Sequence, residues 1–249
     1  MNKIKFNNFI KRTFIALLAV FIINGTTIVF ARAGGGHSSS SHSSSSSSNS
    51  LENGNSRGSI IGVIVFAIIT SSGGIIIKLR LGKRKVKSIS VIKKLAKSDD
   101  NWNYNKIKKE IKETFYKVQD AWMERNQNLA KEYISDKLYN KHESQIEWMK
   151  VKKQINILEN MELLGAAPIG IQDFEGIYKD CIWVHIKAKA KDYTINEETN
   201  EVIEGKVHAC VYFEEYWKFI RNEHRWVLDE IRQIDDIEDL NFFKIEVDN

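Results

Sequence analysis

The second half of the sequence predicts an α+β fold, with helices first and then an antiparallel meander that carries the helices on one face. Two periodicities support this expectation. Ile107, Ile111, Phe115, Val118 and Trp122 fall at steps of four, four, three and four, one apolar stripe on a helix from Asn105 to Asn126. From Ile155 onward the apolar period changes to two, the alternation of a half-buried strand. A third observation sets this domain beside a membrane. Ile60 to Ile77 holds no ionisable group and is followed at once by Lys78, Arg80, Lys83, Arg84, Lys85 and Lys87.

The chain begins with a signature of export. Lys3, Lys5, Lys11 and Arg12 precede the apolar run Phe14 to Ile23, and Ala31-Arg32-Ala33 offers small residues where a signal peptidase reads, so residues 1–33 are expected to be a signal peptide. An uncleaved anchor is the alternative, since Thr26 to Phe30 prolongs the apolar character. Residues 34–59 are Gly, Ser, Asn and two His, too poor in apolar surface to offset ordering entropy, and read as a disordered extracytoplasmic spacer. His37 and His42 there lack the Cys or carboxylate companions of a metal site, and no metal is expected.

At about 1.5 Å per residue the run Ile60 to Ile77 reaches roughly 27 Å as a helix, close to a bilayer's hydrocarbon thickness. With Lys78 and Arg80 snorkelling, a transmembrane helix over 60–81 is expected. A buried core helix is the rival reading. Six basic residues after the span, against Arg57 before it, place the N-terminus outside and the C-terminal domain in the cytoplasm of a single-pass cell-membrane protein. Residues 82–100 read as a basic amphipathic linker: Ile89, Ile92 and Leu95 share one side and lysines the other, suited to anionic lipid headgroups or to a solvated stalk.

Charge divides the chain. Residues 1–97 carry 15 Lys+Arg against the single acid Glu52, while residues 98–249 carry 22 against 31 Asp+Glu. The basic residues crowd the membrane segment and the folded part is acidic, which removes nucleic acid as a partner despite the basic pI. The domain itself is expected over 101–235, with an acidic tail over 236–249.

Within the domain, Ser98-Asp99-Asp100 marks a boundary, Leu129 to Ile134 a short helix, and Ser135 caps a third helix with Leu138, Tyr139, His142, Ile146 and Met149 facing inward. His142 is read as a core histidine. A first strand or broken pair covers Ile155 to Asp173, interrupted at Gly165-Ala-Ala-Pro168. In the next, Ile182, Val184, Ile186, Ala188 and Ala190 share one face and Trp183, His185, Lys187, Lys189 and Lys191 the other. A third strand puts Val207, Ala209, Val211, Phe213, Trp217 and Phe219 on one face, and a fourth runs near Arg225 to Gln233. Burying both apolar faces together makes paired numbers sum to about 401, which sets Lys187 opposite Glu214 and His185 opposite Tyr216. Cys181 then pairs near Ile220, roughly 33 Å along the strand from Cys210, too far for a disulfide, so two free cysteines are expected.

Val118-Gln-Asp-Ala-Trp122, Tyr133-Ile-Ser-Asp-Lys-Leu-Tyr139, Ala190-Lys-Asp-Tyr193, Glu215-Tyr-Trp-Lys-Phe-Ile-Arg221 and Trp226-Val-Leu-Asp-Glu-Ile-Arg-Gln233, in this order, resemble the Tim44-like domain family over roughly Trp102 to Gln233. The resemblance implies a cone of the nuclear-transport-factor-two type, helices on a curved antiparallel sheet with an apolar pocket between them. It also implies a non-enzymatic adaptor that works at a membrane, with an unknown protein partner or apolar ligand and no cofactor.

The same fold type hosts isomerases and dehydratases, so an enzyme is the alternative. Glu215, between Phe213 and Trp217 and with Ile186 on the facing strand, is the candidate base in the pocket, and an Arg such as Arg221 or Arg225 is its expected ion-pair partner if it does no chemistry. Asp192-Tyr193 is read as a turn-shaping pair at a strand end. No phosphate loop, nucleophile elbow, dinucleotide fingerprint or zinc spacing is present, and no catalytic residue is assigned. Ala67 and Ser71, with Gly73-Gly74, permit self-association in the bilayer, which makes a lipid-binding or self-associating scaffold a further alternative.

Overall fold

A computed structural model describes residues 32–33, 57–176, 179–223, 225–237 and 239–248, and for 57–75 the backbone path alone. The expected signal peptide, apart from Arg32 and Ala33, and the spacer up to residue 56 lie outside these residues.

One helix, α1, runs unbroken from Arg57 to Leu95. Among the described residues no helix is long and apolar enough to cross a membrane. The span expectation rests on Ile60 to Ile77, whose side chains lie outside the described set up to residue 75. The C-terminal half of α1 is not a free linker. Leu81, Ser88 and Ile92 are buried, Val91 and Leu95 pack partly on the core, and Lys78, Arg80, Lys83, Lys85 and Lys87 stay exposed.

Helix α2 spans Tyr104–Met123, started by Asn103, whose side chain accepts from the backbone N–H groups of Asn105 and Lys106. All five residues of its apolar stripe are buried. The expected short helix is a 3-10 turn, Gln127–Tyr133, and Ser135 caps α3, Asp136–Val151. His142 and Met149 of α3 are buried as expected, while Tyr139 is half-exposed.

Five strands form one curled sheet in the order β4-β3-β2-β1-β5. Strand β1, Gln154–Asp173, is one continuous strand rather than a broken pair. It bends through three register shifts, the last at Pro168/Gly170, so the Gly165-Ala-Ala-Pro168 break bends the strand without ending it. β2 is Cys181–Asn196, β3 Val202–Arg221 and β4 Trp226–Gln233.

The register of β2 on β3 places Lys187 opposite Glu214, His185 opposite Tyr216 and Cys181 opposite Ile220. It is held from the outer face by Lys187 meeting Glu214 at 2.9 Å, while Lys189 with Glu162 at 2.8 Å and Lys191 with Glu159 at 3.0 Å tie β2 to β1 in the same way. Beyond Lys191 the pairing slips, and Tyr193 faces Gly205 instead of His208. Val207 and Ala209, expected inside, are accordingly only half-buried.

The sheet is mixed rather than wholly antiparallel. Residues Ile245–Val247 of the acidic C-terminal segment add β5 parallel to β1, and Leu240 and Phe243 are buried against Trp183, Tyr216 and Ile169 on the sheet's outer face, together with Leu81 of α1. Phe243 stacks within 4.6 Å of Tyr216 and 5.4 Å of Trp183. The segment expected as a tail is therefore part of the fold, because its apolar residues offset the ordering of its acids.

Candidate functional site

The inward, concave face of the sheet is closed by α2 and α3 and is apolar along β2 through Ile182, Val184, Ile186, Ala188 and Ala190. The same even-numbered alternation continues to Asp192 and Thr194, and both are buried. Asn156 sits opposite Thr194 on β1, and Glu215 sits between Ile186 of β2 and Gln233 of β4. The curl of the sheet brings these polar positions together at one end of an otherwise apolar core.

Glu215 is fully buried and both its oxygens are engaged. Trp217 Nε1 donates to Oε2 at 2.9 Å, and Gln233 Nε2 to Oε1 at 3.2 Å. Trp217 is itself fixed by Phe115 of α2, whose ring lies 5.4 Å away. Asp192 Oδ1 accepts from Asn156 Nδ2 at 2.9 Å.

The remaining donor to both acids is Arg32. Its Nε lies 3.0 Å from Glu215 Oε1 and its terminal nitrogen 3.4 Å from Asp192 Oδ2, and its guanidinium carbon sits 4.1 Å from the centre of the Phe213 ring. Burial pushes the Asp192 carboxyl up. The Asn156 amide and the Arg32 charge pull it down, and the nearby Glu215 charge pushes it up again. The niche thus gathers Glu215, Phe213 and Trp217 of the expected pocket, with Ile186 beside Glu215 on the facing strand.

The ion pairs expected for Glu215 are overturned. Arg221 binds Asp99 and Asp180, and Arg225 reaches Glu113 and covers the ring of Tyr133 at 4.1 Å. Asp192 is an inward member of the niche rather than a turn residue. The signal for it was present, since period two carried past Ala190 puts residue 192 inside. Glu215 accepts from an indole, an amide and a guanidinium, so both its oxygens are engaged in holding neighbouring side chains.

His142, expected in the core, lies 5.3 Å from the Trp122 ring with its Nδ1 3.3 Å from Gln127 Oε1. Burial lowers its pKa to about 3, with Lys141 adding to the shift, so the ring is neutral and Nδ1 carries the proton donated to the amide oxygen. Among the described residues no group of three or more His, Cys, Asp or Glu is placed to hold a metal ion. Cys181 is buried and Cys210 exposed, and both are free thiols.

A second concavity, of about 680 Å³, lies where α1 meets the domain. Its floor is Leu163 to Ala167 and Ile169 of β1, and its rim carries Lys78, Lys85, Lys108, Lys112 and Lys187. Five cations around an apolar floor suit an acidic or amphiphilic ligand. Of the six basic residues that follow the apolar run, Arg84 is committed elsewhere. It donates to the backbone carbonyl of Phe243 and, at 3.1 Å, to Asn241 Oδ1, and burial lowers its pKa against the opposing pull of Asp239.

A family model of the Tim44-like domain matches residues 88–233, more than half of the chain. The chain belongs to the Tim44-like domain family. The matched part of the Tim44-like domain begins at Ser88 in α1 and ends with Gln233 of β4. It therefore includes the last two turns of the helix and leaves out β5 with the segment before it. No curated protein sequence matches the chain. Among solved structures, the intermembrane space region of the chloroplast protein ARC6 is similar at 8% identity, covering 50% of this chain and 94% of that one with a TM-score of 0.34.

Proposed function

We propose that the chain is a membrane-anchored adaptor. Ile60 to Ile77 crosses the cell membrane with the N-terminus outside, and the Tim44-like domain works at the cytoplasmic face as a binding module without catalysis. The observation that carries this reading is the continuity of α1. The helix that contains the apolar run extends without a break to Leu95 and docks through Leu81 and Ile92 on the domain's core. A stiff, docked stalk holds the domain at a fixed height and orientation above the bilayer, which is what an adaptor needs and a freely tethered enzyme does not. Lys78, Arg80, Lys83, Lys85 and Lys87 stay exposed along this stretch of α1, and at the level of the headgroups each contributes on the order of 1 kcal/mol toward an anionic surface. Membership of a family whose members act as import and membrane adaptors supports the same conclusion.

The partner is proposed to bind at the lysine-rimmed concavity, which opens beside α1 and offers an apolar floor to an acidic protein segment. A photoreactive residue at Leu164, which is 46% exposed on that floor, tests this in cells. A single protein captured in defined yield, and lost on Lys108→Glu with Lys112→Glu, is the expected result. Capture of lipid alone would convert the site into a lipid contact and overturn the adaptor reading.

A further inference from the structure

Arg32 stands outside the domain in sequence, 160 and 183 residues from the two carboxylates that hold it, yet it is buried and Ala33 beside it is fully buried in the core. We propose that the Asp192–Glu215 niche is an arginine-binding site, and that its resident occupant is Arg32 of the chain itself, which keeps the inward face of the sheet closed. The niche is matched to a guanidinium in three ways at once. Two acids receive two different nitrogens of one planar fork, with Nε on Glu215 and the terminal nitrogen on Asp192. The ring of Phe213 takes the guanidinium against its π-electrons. A neutral donor holds the other oxygen of each acid, Trp217 on Glu215 Oε2 and Asn156 on Asp192 Oδ1, while Gln233 shares Glu215 Oε1 with the guanidinium. A lysine ammonium satisfies the charge but not the fork or the planar contact.

The neutral donors orient the acids without discharging them, and two buried carboxylates facing one another need a cation or a proton. Two further polar atoms, Asn156 Oδ1 and Thr194 Oγ1, are fully buried without a partner on adjoining inward positions. They are available to a peptide segment that enters with its arginine.

The occupant has a topological consequence. Arg32 precedes the run Ile60 to Ile77, so once that run is across a bilayer Arg32 and the domain lie on opposite sides. The closed arrangement therefore belongs to the chain before its N-terminal segment is threaded, and threading empties the niche for an arginine of another chain. This release rests on the topology proposed above. The binding of arginine by the niche does not.

The full chain in detergent micelles, where no bilayer separates Arg32 from the domain, tests the binding half by fluorescence anisotropy of a dye-labelled acetyl-Ala-Arg-Ala-amide peptide. The Arg32→Ala chain is expected to bind the peptide at least tenfold more tightly than the parent. It should prefer it at least tenfold over the Ala-Lys-Ala peptide, and lose it on adding Glu215→Gln. Arg32→Lys, which retains a buried cation and so guards against misfolding of the alanine variant, is expected to be displaced by the peptide where the parent is not. Equal binding by the parent, Arg32→Ala and Arg32→Lys, or binding indifferent to Glu215→Gln, overturns the proposal. The parent inserted in sealed vesicles, with peptide added on the domain side, tests the release half. It should bind as the Arg32→Ala chain does in micelles. Failure there, with success in micelles, overturns the topology and leaves the arginine site standing.

Discussion

Arg84 of α1 donates to the backbone carbonyl of Phe243, so the helix on which the membrane reading rests is tied directly to the segment that ends the sheet. The same guanidinium reaches Asn241, and one turn earlier Leu81 is buried in the cluster that contains Phe243. Stalk and final strand thus close over the outer face of the sheet as one unit. Arg84→Gln is expected to lower stability by about 1–2 kcal/mol, the worth of a partly buried charge-assisted bond. It should also raise amide exchange selectively in Ile245–Val247. Unchanged exchange in β5 would mean that Phe243's ring, and not the arginine, fastens the segment.

Gly205 takes a positive φ of 82° where β3 slips against β2, and a Cβ there would clash with the Asp192 carbonyl. Both the backbone conformation and the space demand glycine. Gly205→Ala is therefore expected to cost more than about 2 kcal/mol and to displace Asp192, since strain at such a site comes to about 1–3 kcal/mol before any clash. Gly176 shares the positive φ, at 103°, with nothing in reach of its Cβ. Gly176→Ala supplies the comparison in chemical denaturation, with a smaller loss and an intact niche.

Burial of His142 gives stability a defined pH dependence. Its folded pKa is lowered to about 3 against an ordinary 6.5, so above pH 6.5 the ring is neutral in both states and the shift has no effect. As pH falls below 6.5 the unfolded chain takes a proton that the folded one refuses, and stability drops at about 1.4 kcal/mol per pH unit until about pH 3. His142→Gln is expected to be less stable at pH 7 by about 1–2 kcal/mol, through lost packing on Trp122. It should also lose about 2–3 kcal/mol less than the parent between pH 7 and 4.5. Parallel curves for the two chains would place the acid sensitivity in the carboxylates.

The meander was legible because its two faces differ so sharply in chemistry. Only one register buries Ile186 and Trp217 together and at the same time sets Lys187 against Glu214. The stripe of α2 was legible for the same reason, five apolar residues on one face of a polar helix. What sequence reading missed was each place where a local rule yielded to a distant partner. The C-terminal segment looked like a tail because its acids dominate, yet Leu240 and Phe243 are spaced to cover Trp183 and Tyr216, and Ile245 packs on the inner core. Glu215 was identifiable as a buried acid in want of a cation. That the cation is Arg32, at the far end of the chain and not Arg221 or Arg225 nearby, depends on a tertiary approach that no periodicity encodes.

The two thiols make the chain its own topology reporter. Burial pushes the Cys181 thiol up to about 11, against a smaller pull from Lys218, so at neutral pH it is both covered and protonated. Cys210 is exposed on β3, at the point where the sheet loses register. A membrane-impermeant maleimide should therefore modify Cys210 alone, with Cys210→Ser abolishing the adduct and Cys181→Ser leaving it unchanged. If Ile60 to Ile77 spans with the domain inside, intact cells give no adduct and permeabilised cells give one per chain. A cysteine introduced at Ser45, on the outer side of the same span, should show the opposite, labelled in intact cells. Labelling of Cys210 before permeabilisation would place the domain outside, and an Arg32 retained on an uncleaved N-terminus would then share its compartment and keep the niche closed.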